Sequence, residues 1–412
     1  MRTQLPVWPF LATFYGFPLW WVLGIAWLVP VAAAITMLGY LVLYRRTRVP
    51  NGALPLVLFF GWTLASVLAL DSGLRLLGAG LRWAQFFAAV VMVIYVANAA
   101  RLRRSQVLIG FSIVFFTTVV GGVLSQIIPE VRIPTILGAV APGALRNNPL
   151  VFDLLNPKMA EIQMPWGAEE PFLRPAAPFE YTNGWGTAFA LTLPLVIAAA
   201  IVLRNRGFTT LVVIGLAAAL IPVTASTNRG MLVAIGVSAT YVLVRLFFGG
   251  RAREAALGLL LMVVMLIVAA SAGLFAGIDE RQAVSDTTTG RSTLYEETFN
   301  RSLESPLLGH GGPRPSETTE VSAGTQGQVW FVMFSYGFVG LGLFLWFIWG
   351  AAWRTRRTVD LPDLLMHSSL IAACVVVMYY GLATWQLLVI SAVAGWGFRS
   401  VADRVAETTI TS

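Results

Sequence analysis

The feature that most constrains this chain is a series of apolar runs, each about as long as a membrane-spanning helix, separated by short arginine-containing segments. Residues 54–70, 79–99 and 107–124 are three consecutive examples. Roughly 20 apolar residues cross a bilayer as a helix, and a helix satisfies its own backbone hydrogen bonds there. With 57% hydrophobic residues, the 412-residue chain has more apolar surface than a water-soluble protein could bury. The sequence therefore predicts an all-α, multi-pass integral membrane protein.

The apolar runs predict about twelve transmembrane helices in one polytopic domain covering residues 1–412. The predicted helices are two short ones within residues 9–44 that meet near 28–31, followed by 54–70, 79–99, 107–124, 187–203, 209–224, 231–248, 255–278, 329–353, 366–383 and 385–398. Arginine clusters follow alternate helices, which by the positive-inside tendency places those ends and both termini in the cytoplasm. Two long polar segments, 125–184 and 278–328, then become extracytoplasmic loops.

Charge and cysteine content narrow the classes of function. The net charge of +8 comes from arginine clusters between apolar segments, so it indicates membrane topology rather than a nucleic-acid partner. The single cysteine, Cys374, lies in an apolar run and excludes a disulfide within one chain. The predicted external segments hold no D-x-D motif, and the chain has no G-x-x-x-x-G-K-[ST] pattern. We therefore expect no cofactor, metal-independent chemistry and no direct use of ATP.

Arginines are frequent on the predicted external face, where they are usually scarce. Arg229 lies in STNRG at the end of a predicted helix, and Arg291 lies in TGRSTLYEETF of the second loop. A guanidinium binds phosphate oxygens through two parallel hydrogen bonds, so both are candidate ligands of an anionic lipid head group or a pyrophosphate. The alternatives are an ion pair with a loop carboxylate or contact with ordinary head groups. Arg301 is a weaker candidate, because a solvated loop charge explains it.

Few side chains in the external segments could act as a general base. His310 lies in the glycine-rich turn SPLLGHGGP, although a lone loop histidine is usually only solvated. Glu180 lies just before a predicted helix, beside Tyr181 and Asn183, where its pKa could be raised toward a useful range. An ion pair with an arginine is the alternative for Glu180. The neighbouring acids at 296 and 297 are typical of a solvated surface.

Three stretches of the chain together carry a resemblance to one known family. The first is FLRPAAPFEYTNGWGTAFALTLPL, which is similar to a proline-rich segment that leads into a helix. The second is TASTNRGMLVAIGV, which resembles a short S-R-G element at a helix start. The third runs from GRSTLYEETFNRSLESPLLGHG to GTQGQVWFVMFSYGFVGLGLFL, which resembles a G-R … P-L-x-G-x-G segment followed by a G-x-x-G helix. Together with the hydropathy pattern, the three stretches cover most of residues 125–345 in the expected order, and on this basis the chain resembles the O-antigen ligase and O-antigen polymerase superfamily of membrane glycosyltransferases.

The resemblance implies a GT-C-like architecture in the bacterial cytoplasmic (inner) membrane with an extracytoplasmic active site. It implies transfer of a saccharide from a polyprenyl (pyro)phosphate-linked donor to a hydroxyl of a glycan or lipid-glycan acceptor. Arg229 and Arg291, with Arg174 as a third candidate, would bind the donor phosphates. Tyr181, Asn183 and Arg301 would be weaker substrate contacts.

The resemblance also exposes one departure, at Gln326. The family usually places a histidine just before the helix that is predicted to begin at residue 329, and this chain has Gln326 there. Glutamine can donate and accept hydrogen bonds but cannot take a proton at neutral pH. If Gln326 does not act, the role of base passes to Glu180 or His310.

Two other classes of function remain open from the sequence. About twelve helices with cytoplasmic termini are also typical of a transporter, here of a lipid-linked or anionic substrate. The predicted helix interiors contain almost no ionisable residues apart from Arg82, which favours the enzyme. A non-catalytic cell-envelope scaffold is the third reading, because Gln326 replaces the expected base.

Overall fold

The chain forms a mostly helical membrane protein. The computed structural model describes residues 5–44, 47–147, 149–164, 170–284, 287–318 and 321–411. Within these ranges eight helices are long and apolar enough to cross a membrane, and two shorter apolar helices accompany them. The prediction of a helical membrane protein is thus confirmed, whereas the predicted count of about twelve spanning helices is not. The helix bounds given next account for part of the difference.

The helices in chain order are α1 Trp8–Tyr15, α2 Phe17–Val22, α3 Val29–Leu43, α4 Leu54–Ala65, α5 Leu76–Asn98, α6 Arg104–Ile127, α7 Ile136–Val140, α8 Gly143–Arg146, α9 Pro149–Leu155, α10 Thr182–Leu203, α11 Arg206–Ser226, α12 Arg229–Phe248, α13 Ala252–Ser271, α14 Leu274–Val284, α15 Thr287–Ser302, α16 Gln328–Thr355, α17 Leu361–Tyr379 and α18 Thr384–Thr411. The strands are β1 Ala160–Gln163 and β2 Phe172–Pro175.

The first apolar stretch is broken into pieces too short to span a bilayer singly. Pro9, Pro18 and Pro30 lie in the first turns of α1, α2 and α3. Proline suits a first turn, because its missing N–H would have no partner there, but it cannot continue a preceding helix. The stretch therefore forms three helices of 8, 6 and 15 residues instead of the two that were predicted.

The centre of the bundle is formed by α6, α10 and α17. In each of these three helices, 67% of the most apolar 18-residue stretch is buried inside the protein, compared with 11% in α13. Trp185, Phe115 and Phe189 pack at the centre, and the Trp185 ring stacks on Phe189 at 5.4 Å. Because α10 lies in this core, the residues at its start are held by a rigid element.

Both polar segments lie at the same end of the bundle. Asn228 at the start of α12 is hydrogen-bonded to Thr182 at the start of α10, and Tyr380 at the end of α17 is bonded to both Gly230 and Gln328. The first segment precedes Thr182 and the second ends at Gln328. The structure thus brings the ends of the two predicted loops together.

Both polar segments, which were predicted to be loops, contain regular secondary structure. The first contains α7 to α9 and an antiparallel hairpin in which Ala160 pairs with Pro175 and Glu161 with Arg174. The described part of the second is largely helical, in α14 and α15. The all-α prediction therefore needs one correction, a two-stranded sheet, which sequence periodicity missed because each strand has only four residues.

Candidate functional site

The tight turn between α11 and α12 positions Arg229. Thr227 adopts a left-handed conformation that ends α11, and Asn228 caps α12 by accepting a hydrogen bond from the Met231 N–H at 3.0 Å. The Asn228 amide also donates to the Thr182 carbonyl at 3.3 Å, and the side chain is only 1% exposed. Arg229 is the first residue of α12 and is exposed. A buried cap therefore holds an exposed guanidinium at a helix N-terminus, where backbone N–H groups also favour anions.

Arg174 is hydrogen-bonded to the end of α11, just before this turn. It is 5% exposed, its Nε donates to the Ser226 carbonyl at 3.0 Å, and its Nη1 lies 3.4 Å from Gln163 Oε1. Glu161, opposite it in the hairpin, accepts a hydrogen bond from the Thr182 N–H at 3.0 Å. These contacts use the Arg174 guanidinium to tie the hairpin to the turn. They favour a positioning role over the predicted direct contact with phosphate.

Glu161 was not singled out from the sequence, although it belongs to this arrangement. Burial acts to raise the pKa of its carboxyl, but the hydrogen bond from the Thr182 N–H and the charge of Arg174 outweigh burial and lower the pKa. Glu161 is therefore a charged structural partner, not a proton acceptor. Its place between Ala160 and Ile162 in a short strand gave no chemical signal in the sequence.

Tyr380 joins the two halves of the site and was also missed. Its hydroxyl accepts a hydrogen bond from the Gly230 N–H at 3.0 Å, and its carbonyl accepts one from the Gln328 N–H at 3.0 Å. A Cβ at Gly230 would lie 2.5 Å from the Tyr380 ring, so only glycine allows this approach. The glycine beside Arg229 was the available signal for a close neighbour.

Glu180 is the carboxylate best placed to exchange protons. Glu180 is exposed to solvent, yet the protein around its carboxyl displaces enough water that burial raises its pKa. The charge of Asp153 raises the pKa further, and that of Lys158 opposes the change. Tyr181 is also exposed, with its ring 4.9 Å from Lys158 Nζ, whereas Asn183 is half-buried in the first turn of α10. The sequence-based expectation of a raised pKa at Glu180 therefore agrees with its surroundings.

His310 has a different setting from the flexible, solvated turn that was expected. It is 5% exposed, its Nε2 lies 2.9 Å from the Arg301 carbonyl, and its ring packs on Phe334 at 4.5 Å. Burial lowers the pKa of His310, which the hydrogen bond to Arg301 opposes. Gly309, with φ +67°, lies against the backbone of α16, where a Cβ would come within 2.5 Å of Ser335. The glycines thus allow close packing, and His310 reads as a structural residue rather than a base.

Three other candidate residues of the second segment, Arg301, Gln326 and Arg291, differ in their surroundings. Arg301 donates to Glu297 at 2.9 Å and to the Pro315 carbonyl at 2.9 Å, and its predicted weaker contact with substrate stays a prediction. Gln326 is half-buried, and its backbone carbonyl accepts a bond from the Tyr295 hydroxyl at 3.3 Å. Arg291 belongs to α15, but its side chain lies outside the described residues. The predicted phosphate contact of Arg291 therefore stays a prediction.

The two adjacent acids of α15 differ sharply. Glu296 is exposed, as predicted, but the Glu297 side chain is 8% exposed. The Glu297 carboxylate accepts hydrogen bonds from Arg301, the Ser316 and Thr318 hydroxyls and the Glu317 N–H. Burial acts to raise the pKa of Glu297, but these bonds outweigh it and hold the pKa at about 2. Glu297 therefore fastens residues 316–318 to α15.

A second group of arginines lies around the glycine turn that follows His310. Arg75 Nη1 donates to the Pro313 carbonyl at 2.9 Å, and Arg75 and Arg314 both contact Asp71, at 3.1 and 3.5 Å. Arg82, on α5, lies over the Phe331 ring at 4.9 Å. Asp71 is the acid that forms the salt bridges of this group in the part of the chain that the structure describes. The second segment is therefore anchored by arginines at a distinct place from the Arg229 turn.

The fold and this site define a helical membrane protein with an arginine- and glutamate-containing polar site at one end of its bundle. No protein-family model and no curated protein matches the chain. Among the described residues, no group of three or more His, Cys, Asp and Glu side chains is placed to hold a metal ion. The expected metal independence of any reaction stays a prediction.

Proposed function

We propose that the protein is a membrane glycosyltransferase of the O-antigen ligase or polymerase type, acting on the external face of the bacterial cytoplasmic membrane. The substrate is a saccharide linked to a polyprenyl (pyro)phosphate, and the acceptor is a hydroxyl of a second glycan. The observation that carries this proposal is that the segments bearing Arg229 and Glu180 and the start of α16 lie at one end of the bundle, joined by hydrogen bonds of Asn228 and Tyr380. These residues come from all three stretches that resemble the family.

Arg229 is the phosphate ligand in this proposal. It is exposed at the first turn of α12, and Asn228, Arg174 and Tyr380 fix the backbone on which it sits. An arginine at a helix N-terminus presents a guanidinium fork together with backbone dipoles to a diphosphate. Arg291 supplies the second guanidinium in the same proposal. Charge that develops on the departing diphosphate is stabilised there without rearrangement of the protein.

Glu180 is the general base in this proposal. The acceptor hydroxyl oxygen attacks the anomeric carbon, its proton passes to the Glu180 carboxylate, and the bond between the anomeric carbon and the phosphate oxygen breaks. Polyprenyl diphosphate, or the monophosphate, leaves with the electron pair. A raised pKa makes Glu180 a better proton acceptor than an ordinary carboxylate, provided that the pH keeps it ionised. Exposure favours Glu180 over His310, which is buried and already hydrogen-bonded.

The test uses cells that carry the gene. Deleting the gene and restoring the wild-type protein or Arg229→Ala compares glycan transfer in the same membrane. We expect lipid-linked glycan to accumulate in the deletion and in the Arg229→Ala strain, and to fall to the normal level with wild type. Equal glycan products in all strains, with the variant present in the membrane, would reject the transferase. Donor binding without turnover by the purified wild-type protein would favour the scaffold.

One observation keeps transport of a lipid-linked or anionic substrate as a second candidate. Arg82 lies in a membrane-spanning helix, six residues after its start at Leu76, which places it roughly 9 Å along the axis. A charge inside such a helix often marks a substrate path. Counterflow of labelled lipid-linked glycan across vesicles, abolished by Arg82→Gln and without formation of a glycosidic bond, would support transport and contradict the transferase.

A further inference from the structure

A large cavity lies at the far end of the bundle from the candidate site. It has a volume of ≈ 1730 Å³ and is formed by residues 47–52, the end of α5, the last part of α16, the residues just after α16, and α18. The helix α16 begins at Gln328 beside Tyr380, is broken at Gly337 (φ 70°), and continues as a regular helix to Thr355. The part after the break alone rises roughly 27 Å, so the last turn of α16 lies far from the candidate site. The cavity and the site are therefore on opposite sides of the membrane-spanning region.

The wall of the cavity is strongly basic. Its charged residues in the described chain are six arginines and one acid: Arg48, Arg354, Arg356, Arg357, Arg399, Arg404 and Asp403. Two arginines are fixed by backbone carbonyls, since Arg399 Nη2 donates to Leu102 at 2.8 Å and Arg404 donates to Arg357. The Arg356 guanidinium stacks on Trp353 at 3.8 Å. Part of the positive charge is therefore held in place before any ligand arrives.

The three remaining arginines face solvent. Arg48, Arg354 and Arg357 are exposed, and none of them forms a salt bridge with an acid in the described ranges. Arginines that only set the orientation of a membrane protein also lie at helix ends, but they are distributed over separate loops. Here the segment before α4 brings Arg48, and the end of α16 with the residues after it brings Arg354 and Arg357, to one concave surface. Concentrated, uncompensated guanidinium groups favour a ligand that carries more than one phosphate.

One edge of the cavity is apolar and faces the lipid region. Trp346, Trp349 and Trp353 line it, are at least half exposed, and follow one another along a single face of α16. Tryptophan is enriched where a membrane meets water. A ligand in the cavity would therefore contact guanidinium groups at one end and membrane-facing indole rings at the other.

We propose that this cavity binds an anionic membrane phospholipid whose head group carries two phosphates. The arginines hold the phosphates, and the acyl chains leave the cavity past Trp346 and Trp349 into the bilayer. Basic recesses between helices recognise such head groups through the same chemistry. The volume exceeds the roughly 300–1,000 Å³ of a typical small-molecule site, which fits a two-phosphate head group better than a single phosphate ion.

The test is a titration of the purified full-length protein with cardiolipin, a lipid of this class, followed by native mass spectrometry. Phosphatidylcholine of matched acyl chains is the neutral lipid control. The test variant is Arg48→Gln/Arg354→Gln/Arg357→Gln. The matched control variant is Arg204→Gln/Arg206→Gln/Arg253→Gln, which removes three exposed arginines that lie outside the cavity at the same end of the bundle. Thermal unfolding confirms that each variant is folded, and the single variant Arg354→Gln replaces the triple variant if it is not.

We expect cardiolipin to bind the wild-type protein in preference to phosphatidylcholine. At roughly fivefold per arginine, the triple variant should bind on the order of a hundredfold more weakly, and the single variant several-fold more weakly. The control variant should stay within about threefold of wild type. Equal weakening in both triple variants would overturn the proposal, because it would indicate general surface charge. Full displacement of cardiolipin by inorganic pyrophosphate at the same concentration would also overturn it, in favour of a soluble ligand.

Discussion

The Glu297 carboxylate provides the most quantitative prediction from the structure. It accepts four hydrogen bonds, three that hold residues 316–318 to α15 and one from Arg301 within α15. The difference between the ordinary pKa of 4.5 and about 2 corresponds to about 3 kcal/mol favouring the ionised carboxylate in the folded segment. Glu297→Gln keeps one acceptor oxygen but removes the charge. We expect it to destabilise the segment by about 2–3 kcal/mol.

Hydrogen exchange at neutral pH measures this effect directly. The informative amides are those of Glu317, Ala323 and Gly324, which are hydrogen-bonded within the segment. A loss of about 2–3 kcal/mol should speed their exchange roughly 30- to 150-fold. Glu296→Gln is the matched control, because that neighbour is exposed, and its amides should exchange as in wild type.

The pH dependence follows from the sign of the pKa change. Because the folded-state pKa is lowered, the stabilisation is complete above about pH 4.5 and is lost as the pH falls toward 2. The difference between wild type and Glu297→Gln should therefore shrink over that range. Equal exchange in wild type and Glu297→Gln at neutral pH would refute the conclusion that Glu297 holds residues 316–318 to α15.

Three further predictions concern the candidate site. Asn228→Ala removes the cap of α12 and the donor to the Thr182 carbonyl, so thermal unfolding in detergent should show a loss of about 1–3 kcal/mol, while Asn228→Asp, which keeps the cap, should lose less. Tyr380→Phe leaves the Gly230 N–H unpaired and should lower glycan transfer several-fold with a stability loss of about 1 kcal/mol; unchanged transfer would argue against its positioning role. Because the pKa of Glu180 is raised, transfer should fall on acidification at a pH above that of an ordinary carboxylate, and Glu180→Gln should remove this acid limb along with roughly 100-fold or more of the rate. A pH profile of the Gln variant that matches wild type would exclude Glu180 as the base.

The helical, membrane-embedded character of the protein was predictable because long apolar runs have one solution in a bilayer. The number of spanning helices was not, because prolines such as Pro18 and Pro30 divide an apolar run without changing its hydropathy. The pairing of β1 with β2 also escaped prediction. Arg174, which pairs with Glu161 there, is hydrogen-bonded to Ser226 near the α11–α12 turn, 52 residues further along the chain.

At the site, local sequence motifs were informative, whereas contacts between residues far apart in the sequence could not be predicted. The STNRG turn correctly indicated an exposed arginine at a helix start, and the raised pKa expected of Glu180 agrees with its surroundings. The setting of His310 differs from the flexible turn that was expected, because the glycine before it allows the turn to pack on α16. Tyr380 lies 150 residues from Gly230, so only the folded chain reveals their hydrogen bond.

Arg229 is the residue on which the proposed function depends most, and the chain contains its own matched control. Asn228, Arg229 and Gly230 begin α12 in the same way that Asn205, Arg206 and Gly207 begin α11, with an asparagine cap and an exposed arginine in both. The two arginines lie at opposite ends of the bundle, because α11 ends at the turn where α12 begins. Arg206→Ala therefore removes the same type of side chain away from the candidate site.

The most direct measurement is the release of polyprenyl (pyro)phosphate from lipid-linked glycan by the purified protein in liposomes. We expect Arg229→Ala to lower the rate about tenfold to a hundredfold, the loss of one charge-assisted phosphate contact, and Arg206→Ala to leave it unchanged. Equal rates for Arg229→Ala and wild type would contradict the phosphate-binding role of Arg229 and, with it, the proposed transferase site.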